Sequence, residues 1–160
     1  MSDTNPHLTR VRIIADYQFG QGAGCALFPD NVEFQMSSTG RVRQILFEGK
    51  RIATVKAHDG MLTLGIAGAV RLHNFLKFPG NRVIVNSDSA PFVSKGKNAF
   101  AKHVVGSDPD IRAGEEVMVV DEKDNLLATG KAVLCALEIT EFKKGMAVEV
   151  RSGIKIGDMV

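Results

Sequence analysis

The chain has 160 residues, of which 44% are hydrophobic and 24% are charged, and its formal net charge is +2. This composition is ordinary for a globular protein, and the length allows one large domain or two small ones. Such a small net charge does not indicate nucleic-acid binding by itself, so only local clustering of charge can do so. No apolar run approaches the roughly 20 residues that span a bilayer, and the N-terminal MSDTNP lacks the apolar core of a signal peptide. We therefore expect a cytoplasmic protein without a membrane partner.

The first half of the chain predicts short strands followed by a helix. Residues 11–15 are predicted as a strand, whereas residues 20–27 are glycine-rich and fit either a loop or a short helix. A helix is predicted over 65–76, where apolar residues recur at helical spacing. Between these segments, turn residues separate further predicted strands over 32–36, 42–47, 51–56 and 61–64. Strands in series followed by a helix indicate an α+β unit.

A domain boundary is predicted at Pro79 and Gly80. Proline cannot continue a helix, and it pushes the preceding residue out of the helical region. The pattern also changes across this point. We therefore expect an α+β domain over 8–78 and a second domain over 81–155.

The second half predicts a small barrel. A buried strand over 83–85 precedes a short helix in which Ser89 is the N-cap and Pro91 lies in the first turn. Gly96 would end that helix in a left-handed conformation. The remaining predicted elements are strands over 117–120, 126–134 and 146–151 and a helix over 137–143. Short strands at close spacing with two small helices favour a closed or partly closed β-barrel.

The last strand predicts one buried and one exposed face. Successive side chains of a strand point to opposite sides. Met146, Val148 and Val150 should therefore be buried, and Ala147, Glu149 and Arg151 should face solvent.

Positive charge is concentrated around the turn that contains Gly96. Lys95, Lys97, Lys102 and His103 lie in a segment without any carboxylate between Asp88 and Asp108. Positive charge on a flexible turn is suited to phosphate, and backbone N–H groups of a glycine turn can approach phosphate oxygens closely. The alternative is a solvated lysine surface without a ligand.

Other residues are candidates to extend this surface. Phe100 lies two residues from Lys102, on the same face of an extended segment, and would either stack on a base or belong to the core. Asn98 could contact a base or a sugar edge. Arginines can bind phosphate bidentately. The candidate arginines are Arg82 and Arg151 in the second half and, as accessory contacts, Arg41 and Arg43, which share one strand face as Arg10 and Arg12 do.

These residues resemble a known family. Residues 95–104 (KGKNAFAKHV), 117–121 (VMVVD), 128–132 (ATGKA) and 142–151 (FKKGMAVEVR) are similar to a PUA domain. Residues 16–24 (DYQFGQGAG) and 26–28 (ALF), with Thr39-Gly-Arg41 and Asp59-Gly60, resemble the domain that precedes the PUA domain in archaeal tRNA-guanine transglycosylases. The resemblance implies an α+β fold, with a small α/β sandwich-like domain followed by a PUA-type β-pseudobarrel that binds structured RNA, often tRNA, in an archaeosine-forming context.

We do not expect these residues to catalyse the reaction of that family by themselves. The transglycosylases carry it in a TIM barrel with a zinc site, and such a barrel needs about 250 residues. Cys25 and Cys135 lie far apart and the histidines are scattered, so we expect no metal site, no cofactor and no stand-alone catalysis.

Two hypotheses therefore remain for the function. The first is an RNA-binding protein for tRNA modification. The second is a non-catalytic subunit that docks a separate catalytic chain of a split transglycosylase or archaeosine-forming enzyme. Tyr17 also has two interpretations: its ring is either buried in the domain or in contact with a partner domain.

Overall fold

The computed structural model describes residues 5–155, which divide into two compact units between Phe75 and Leu76. The N-terminal unit contains a four-stranded antiparallel sheet in which each strand pairs with the next along the chain. Its strands are β1 (Glu33–Met36), β2 (Val42–Phe47), β3 (Lys50–Val55) and β4 (Leu62–Leu64). Its helices are α1 (Pro6–Phe19), α2 (Ala23–Leu27) and α3 (Ile66–Phe75).

The predicted strand over 11–15 is wrong, because these residues lie inside α1. The Asn5 side chain caps the helix by accepting a hydrogen bond from the His7 N–H at 2.8 Å, and a proline at the first helical position suits this start. Val11 and Ala15 are buried one turn apart and form the inner side of the helix. The β-branched residues around them suggested a strand only because the cap was overlooked.

Helix α3 packs closely on β3, which explains the glycine and alanines in its sequence. A Cβ at Gly68 would collide with the backbone carbonyl of Ile52. Gly68, Ala69 and Leu72 are the buried positions of this helix. The helix predicted over 65–76 therefore forms, and its small residues allow the backbone of α3 to approach the sheet.

The C-terminal unit is built on one six-stranded sheet. Its strands are β5 (Arg82–Val85), β6 (Ala99–Phe100), β7 (Val104–Ser107), β8 (Glu116–Val120), β9 (Leu126–Ala132) and β10 (Met146–Gly153). The helices are α4 (Ala90–Ser94) and α5 (Ala136–Phe142). A 3₁₀ turn over Ala101–His103 joins β6 to β7.

This sheet curls until it nearly closes. Its strand order is β6-β10-β9-β8-β5-β7, so the two outermost strands are the two that the 3₁₀ turn connects. β5 and β8 pair in parallel, and the other neighbours pair antiparallel. The predicted α+β class with a β-pseudobarrel after a small N-terminal domain is confirmed.

The interior of the pseudobarrel is filled by small and β-branched side chains. Val83, Val85, Val117 and Val119 belong to one buried cluster with residues of α4, α5, β9 and β10. In β10, Val148 is buried and Glu149 is exposed as predicted, but Ala147 is fully buried. The pairing of β10 with β6 shifts between positions 146 and 148, and this irregularity breaks the expected alternation.

Candidate nucleic-acid interface

The lysine-rich turn after α4 has a fixed backbone. The N–H groups of Lys95 and Lys97 both donate to the Phe92 carbonyl at 3.1 Å, and that of Gly96 donates to Val93 at 2.9 Å. Gly96 has a φ of 103°, a value that L side chains rarely adopt, as predicted. Because these three N–H groups already have acceptors, the expectation that they would approach phosphate is wrong, and side chains must provide the contacts.

The lysine side chains around this turn reach solvent. Lys95, Lys97 and Lys102 are exposed, and His103 is partly buried. Within residues 5–155, none of the ion pairs involves these three lysines. Lys102 lies in the 3₁₀ turn and not in an extended segment, so the predicted shared face with Phe100 is wrong.

Asn98 connects the turn to the barrel. Its side-chain oxygen accepts a hydrogen bond from the Val150 N–H of β10 at 2.9 Å. The predicted base or sugar contact would therefore fall to the amide nitrogen. The bond to β10 is a structural role that the sequence did not indicate.

Arg82 is not a surface residue, and the prediction that it contacts RNA is wrong. The residue is 1% exposed, although it begins β5. Its guanidinium donates to the Asp124 carboxylate at 2.7 Å and to the Gly80 carbonyl at 2.9 Å, and it lies 5.9 Å from the centre of the Phe78 ring. A buried guanidinium needs such partners, so Arg82 holds the start of the second unit together.

Arg151 is engaged in an ion pair. Its two terminal nitrogens donate to the two carboxylate oxygens of Glu116, one of them at 3.0 Å. The Glu116 side chain is 5% exposed and also accepts a hydrogen bond from the Thr129 hydroxyl at 3.0 Å. Because the positive charge of Arg151 already neutralises the buried Glu116 carboxylate, we no longer assign a phosphate contact to Arg151.

A cavity of about 420 Å³ opens beside the lysine turn. Its wall is mainly carbon, and two exposed phenyl rings contribute to it: Phe92 of α4, 60% exposed, and Phe100 of β6, 41% exposed. The exposure of Phe100 rules out the core interpretation of this residue. The polar residues that line the cavity are Asp88, Ser89, Lys97, Asn98 and His103.

Phe92 and Asp88 line the cavity but were not among the predicted site residues. The segment Ser89-Ala-Pro-Phe was interpreted only as a helix start, and nothing in it indicated that α4 would be five residues long with Phe92 pointing outward. Single-residue exposure in so short a helix depends on tertiary contacts that periodicity does not reveal.

The arginines of the N-terminal unit fall into two groups. Arg41 and Arg43 are exposed at the start of β2, where accessory contacts were predicted. Arg12 instead donates to the Phe28 carbonyl at 2.6 Å and pairs with Asp30 at 3.0 Å. Since Arg10 and Arg12 lie on a helix, two positions apart, they do not share a face.

Exposed apolar side chains mark the outer side of α1. Tyr17 is 81% exposed and Ile13, one turn earlier, is 63% exposed. The interpretation of Tyr17 as a buried ring is therefore wrong. Cys25 and Cys135 are free thiols, and Cys25 is exposed.

Metal clusters and membrane-spanning helices are two other features that could define a function for residues 5–155. No group of three or more His, Cys, Asp or Glu side chains could hold a metal ion. No helix in this range is long and apolar enough to cross a bilayer.

Two family models match consecutive parts of the chain. The patch-forming domain C2 of tRNA-guanine transglycosylase matches residues 9–79, and the PUA domain matches residues 81–154. The tRNA-guanine(15) transglycosylase of Methanothermobacter thermautotrophicus is 50% identical over 147 residues, which are 91% of this chain and 22% of that protein. The chain thus spans about a quarter of the length of the curated relatives that it matches.

Solved structures share the fold. The hypothetical protein PH0734.1 of Pyrococcus horikoshii superposes with a TM-score of 0.74 at 21% identity, covering 96% of this chain and 94% of that one. A conserved PUA domain protein of Thermoplasma acidophilum gives a TM-score of 0.59 at 23% identity and covers 89% of each chain. At these identities the likeness concerns the fold alone.

Proposed function

Since this chain is a PUA-domain protein that resembles the C-terminal region of archaeal tRNA-guanine transglycosylases, we propose that it binds RNA, and tRNA in particular, for tRNA modification. The observation that carries the proposal is a group of three exposed lysines, with Lys95 and Lys97 on the fixed turn after α4 and Lys102 in the 3₁₀ turn, near a cavity whose wall is mainly carbon. The RNA-binding domain would comprise residues 81–155, and residues 8–78 would form the domain before it. A cytoplasmic location is part of the same proposal.

The proposed contact set is smaller than the sequence indicated. Lys95, Lys97 and Lys102 bind phosphates, and Phe100 and His103 lie next to them. Gly96 supports the contacts because it adopts the positive φ of the turn. Asn98 supports them because its side chain accepts a hydrogen bond from β10. Arg82 and Arg151 are left out because protein carboxylates hold them. Arg41 and Arg43 remain accessory candidates.

Catalysis by these residues alone is not part of the proposal. The relatives are named as tRNA-guanine(15) transglycosylases. Only about a quarter of the length of each relative corresponds to this chain. Residues 5–155 hold no cluster suited to a zinc ion. We therefore expect no guanine exchange from the purified 160-residue chain, measured with labelled guanine and unmodified tRNA.

The salt dependence of binding tests the proposal. Each phosphate contact contributes a slope of about −0.7 to −0.9 in a plot of log affinity against log salt, so three lysines give roughly −2 to −3. Between 50 and 200 mM salt, affinity should fall by roughly 20- to 40-fold. Lys97→Ala or Lys102→Ala should flatten the slope by one contact and weaken different tRNA sequences alike.

A matched lysine outside the cluster serves as the control. Lys123 is exposed in the turn between β8 and β9, so Lys123→Ala makes the same change of charge elsewhere on this unit. Its slope should equal that of the parent. If the cluster variants also keep the parental slope and affinity, the turn is only a solvated surface and the proposal fails.

A second candidate function rests on α1. Ile13 and Tyr17 form an exposed apolar pair at helical spacing, and aromatic residues are enriched at protein interfaces. A non-catalytic subunit that docks a separate catalytic chain would use such a surface. Tyr17→Ser should then reduce stimulation of guanine exchange when the chain is added to a transglycosylase fragment that lacks the matched quarter. A rate unchanged relative to Gln35→Ser, an exposed substitution in β1 outside α1 and outside the proposed RNA contacts, would contradict this candidate.

A further inference from the structure

We propose that β1 joins two copies of this chain, by pairing antiparallel with β1 of the second copy so that two four-stranded sheets become one continuous sheet. The inference goes beyond the proposed function, because it concerns the N-terminal unit alone and its test contains no RNA. It rests on the open edge of β1, on the register that the backbone allows there, and on two charged side chains.

The two edges of the sheet differ. At β4 the Gln18 side chain takes the place of a further strand, since its amide donates to the Leu62 carbonyl at 2.9 Å and accepts from the Leu62 N–H at 2.8 Å. Within residues 5–155, β1 pairs with β2 alone. Lysine and proline are the residues that commonly block an open edge, and β1 (EFQM) contains neither. Its free edge is therefore a template for another strand.

The direction of the backbone groups sets the register. The Ser37 N–H donates to the Arg41 carbonyl at 2.6 Å, across the turn between β1 and β2. Because N–H groups alternate in direction along a strand, those of Phe34 and Met36 point away from β2. A two-fold axis through Gln35 places Phe34 of each copy opposite Met36 of the other, and each of these pairs exchanges two backbone hydrogen bonds.

The side chains match in this register. Phe34 lies opposite the buried Ile45 and beside the His7 ring, at 5.7 Å between ring centroids, so it belongs to the inner face of the sheet. Met36 is 43% exposed. Pairing covers Met36 with the phenyl ring of the second copy, and contacts between a thioether and an aromatic ring are favourable. Gln35 meets its own copy on the exposed outer face.

Charge complementarity favours a second copy as the partner. The axis through Gln35 sets Glu33 opposite Ser37 of the second copy, whose neighbour across the hairpin is Arg41. Glu33 and Arg41 are both exposed, and neither belongs to an ion pair within residues 5–155. Since the axis repeats the contact, each copy offers Glu33 to Arg41 of the other.

Other registers fit less well. An axis through Phe34 places Met36 opposite Val32 of the second copy, and the Val32 N–H already donates to the Pro29 carbonyl at 3.3 Å. An axis between two residues turns inner side chains of one copy against outer side chains of the other. The axis through Gln35 is therefore the one that uses the outward groups of β1.

The concentration dependence of the mass tests the proposal. Pairing of two short strands buries less than the roughly 1,200 Å² of a stable interface, so the dimer is weak. We expect it to form at roughly 0.1–1 mM chain. Sedimentation velocity from about 10 µM upward should show a shift from monomer to dimer over this range.

Backbone variants test the strand pairing. Met36→Pro removes an outward N–H, which an edge strand tolerates, and should abolish the dimer. Gln35→Ser keeps the outward groups on both sides of it and should dimerise like the parent. Circular dichroism melts show that each variant is folded.

Charge reversal tests the register. Glu33→Arg and Arg41→Glu should each raise the dissociation constant of the dimer by about 3- to 30-fold, and the double variant should return to the parental value. Lys50→Glu reverses an exposed charge at the far end of the β2–β3 hairpin and should have no effect.

A cysteine on the axis reports the contact directly. Residues opposite each other in a non-hydrogen-bonded pair have Cα atoms about 4.5 Å apart, which a disulfide can span. In a Cys25→Ser background, which removes an exposed thiol, Gln35→Cys should therefore form a disulfide-linked dimer on mild oxidation, and Lys50→Cys should not. A parent that keeps the monomer mass up to about 1 mM would overturn the inference. So would a dimer that survives Met36→Pro, or a Gln35→Cys variant that behaves like Lys50→Cys.

Discussion

Replacing Arg151 should destabilise the C-terminal unit and leave the proposed phosphate contacts of the lysines intact. Glu116 is 5% exposed and Arg151 is 33% exposed at the side chain, so the pair lies between a buried and a surface ion pair. Removing one partner of a buried pair costs about 3–5 kcal/mol, and an exposed pair contributes about 0–1 kcal/mol. For Arg151→Met, which keeps much of the apolar stem, we expect a loss of about 2–3 kcal/mol in the free energy of unfolding.

Urea unfolding measures this loss. With a denaturant slope of about 2 kcal/mol per molar urea, the midpoint should fall by about 1–1.5 M. The chain has no tryptophan, so Phe142→Trp on the exposed side of α5 supplies a probe of this unit in both backgrounds. The double variant Glu116→Gln with Arg151→Met should recover part of the loss, because no charge is then left buried.

The salt slope of RNA binding separates the two roles of Arg151. A structural arginine leaves the slope of the folded protein unchanged, whereas a phosphate contact would reduce it by about 0.7–0.9. A midpoint within about 0.3 M of the parent, together with a flatter slope, would refute the ion-pair argument and restore Arg151 to the RNA surface.

Three further substitutions test the backbone and one carboxylate. Gly96→Ala should cost about 1–3 kcal/mol and weaken RNA binding, measured by thermal melting and by anisotropy, because φ at this position is 103°. Gly68→Ala should lower the melting temperature, since its Cβ would meet the Ile52 carbonyl; an unchanged melt would show that α3 can shift away from β3. Burial raises the pKa of Asp121, but hydrogen bonds from the side chain and backbone of Asn125 outweigh it and hold that pKa below its usual range. Its stabilising effect is therefore present above about pH 4 and is lost as the pH falls through the lower folded value, so Asp121→Asn should lose less stability than the parent in acid unfolding.

Local signals predicted much of the fold. β2 occupies the predicted residues 42–47, because turn residues bound it on both sides. α3 lies within its predicted range, because its apolar residues keep helical spacing over three turns. α1 was not predicted because four of the five residues over 11–15 are β-branched or apolar, which favoured a strand, whereas the Asn5 cap that starts the helix lies six residues earlier.

The roles of Arg82 and Arg151 were less predictable than the fold, because both arginines pair with carboxylates that are distant in the sequence. Asp124 lies 42 residues after Arg82, and Glu116 lies 35 residues before Arg151. Neither pairing leaves a pattern in the local sequence. The exposure of the lysines was easier to predict, because burial of a lysine needs a partner and the segment between Asp88 and Asp108 contains no carboxylate.

The division between arginines and lysines follows from their chemistry. Arg82 and Arg151 present a planar fork of donors that can satisfy a carboxylate and carbonyls at once, so these arginines suit partly or fully buried positions. The lysines carry compact, strongly hydrated charges on flexible stems, which remain in solvent and adapt to a phosphate backbone of any sequence. Phosphate contacts of this kind position an RNA without reading it.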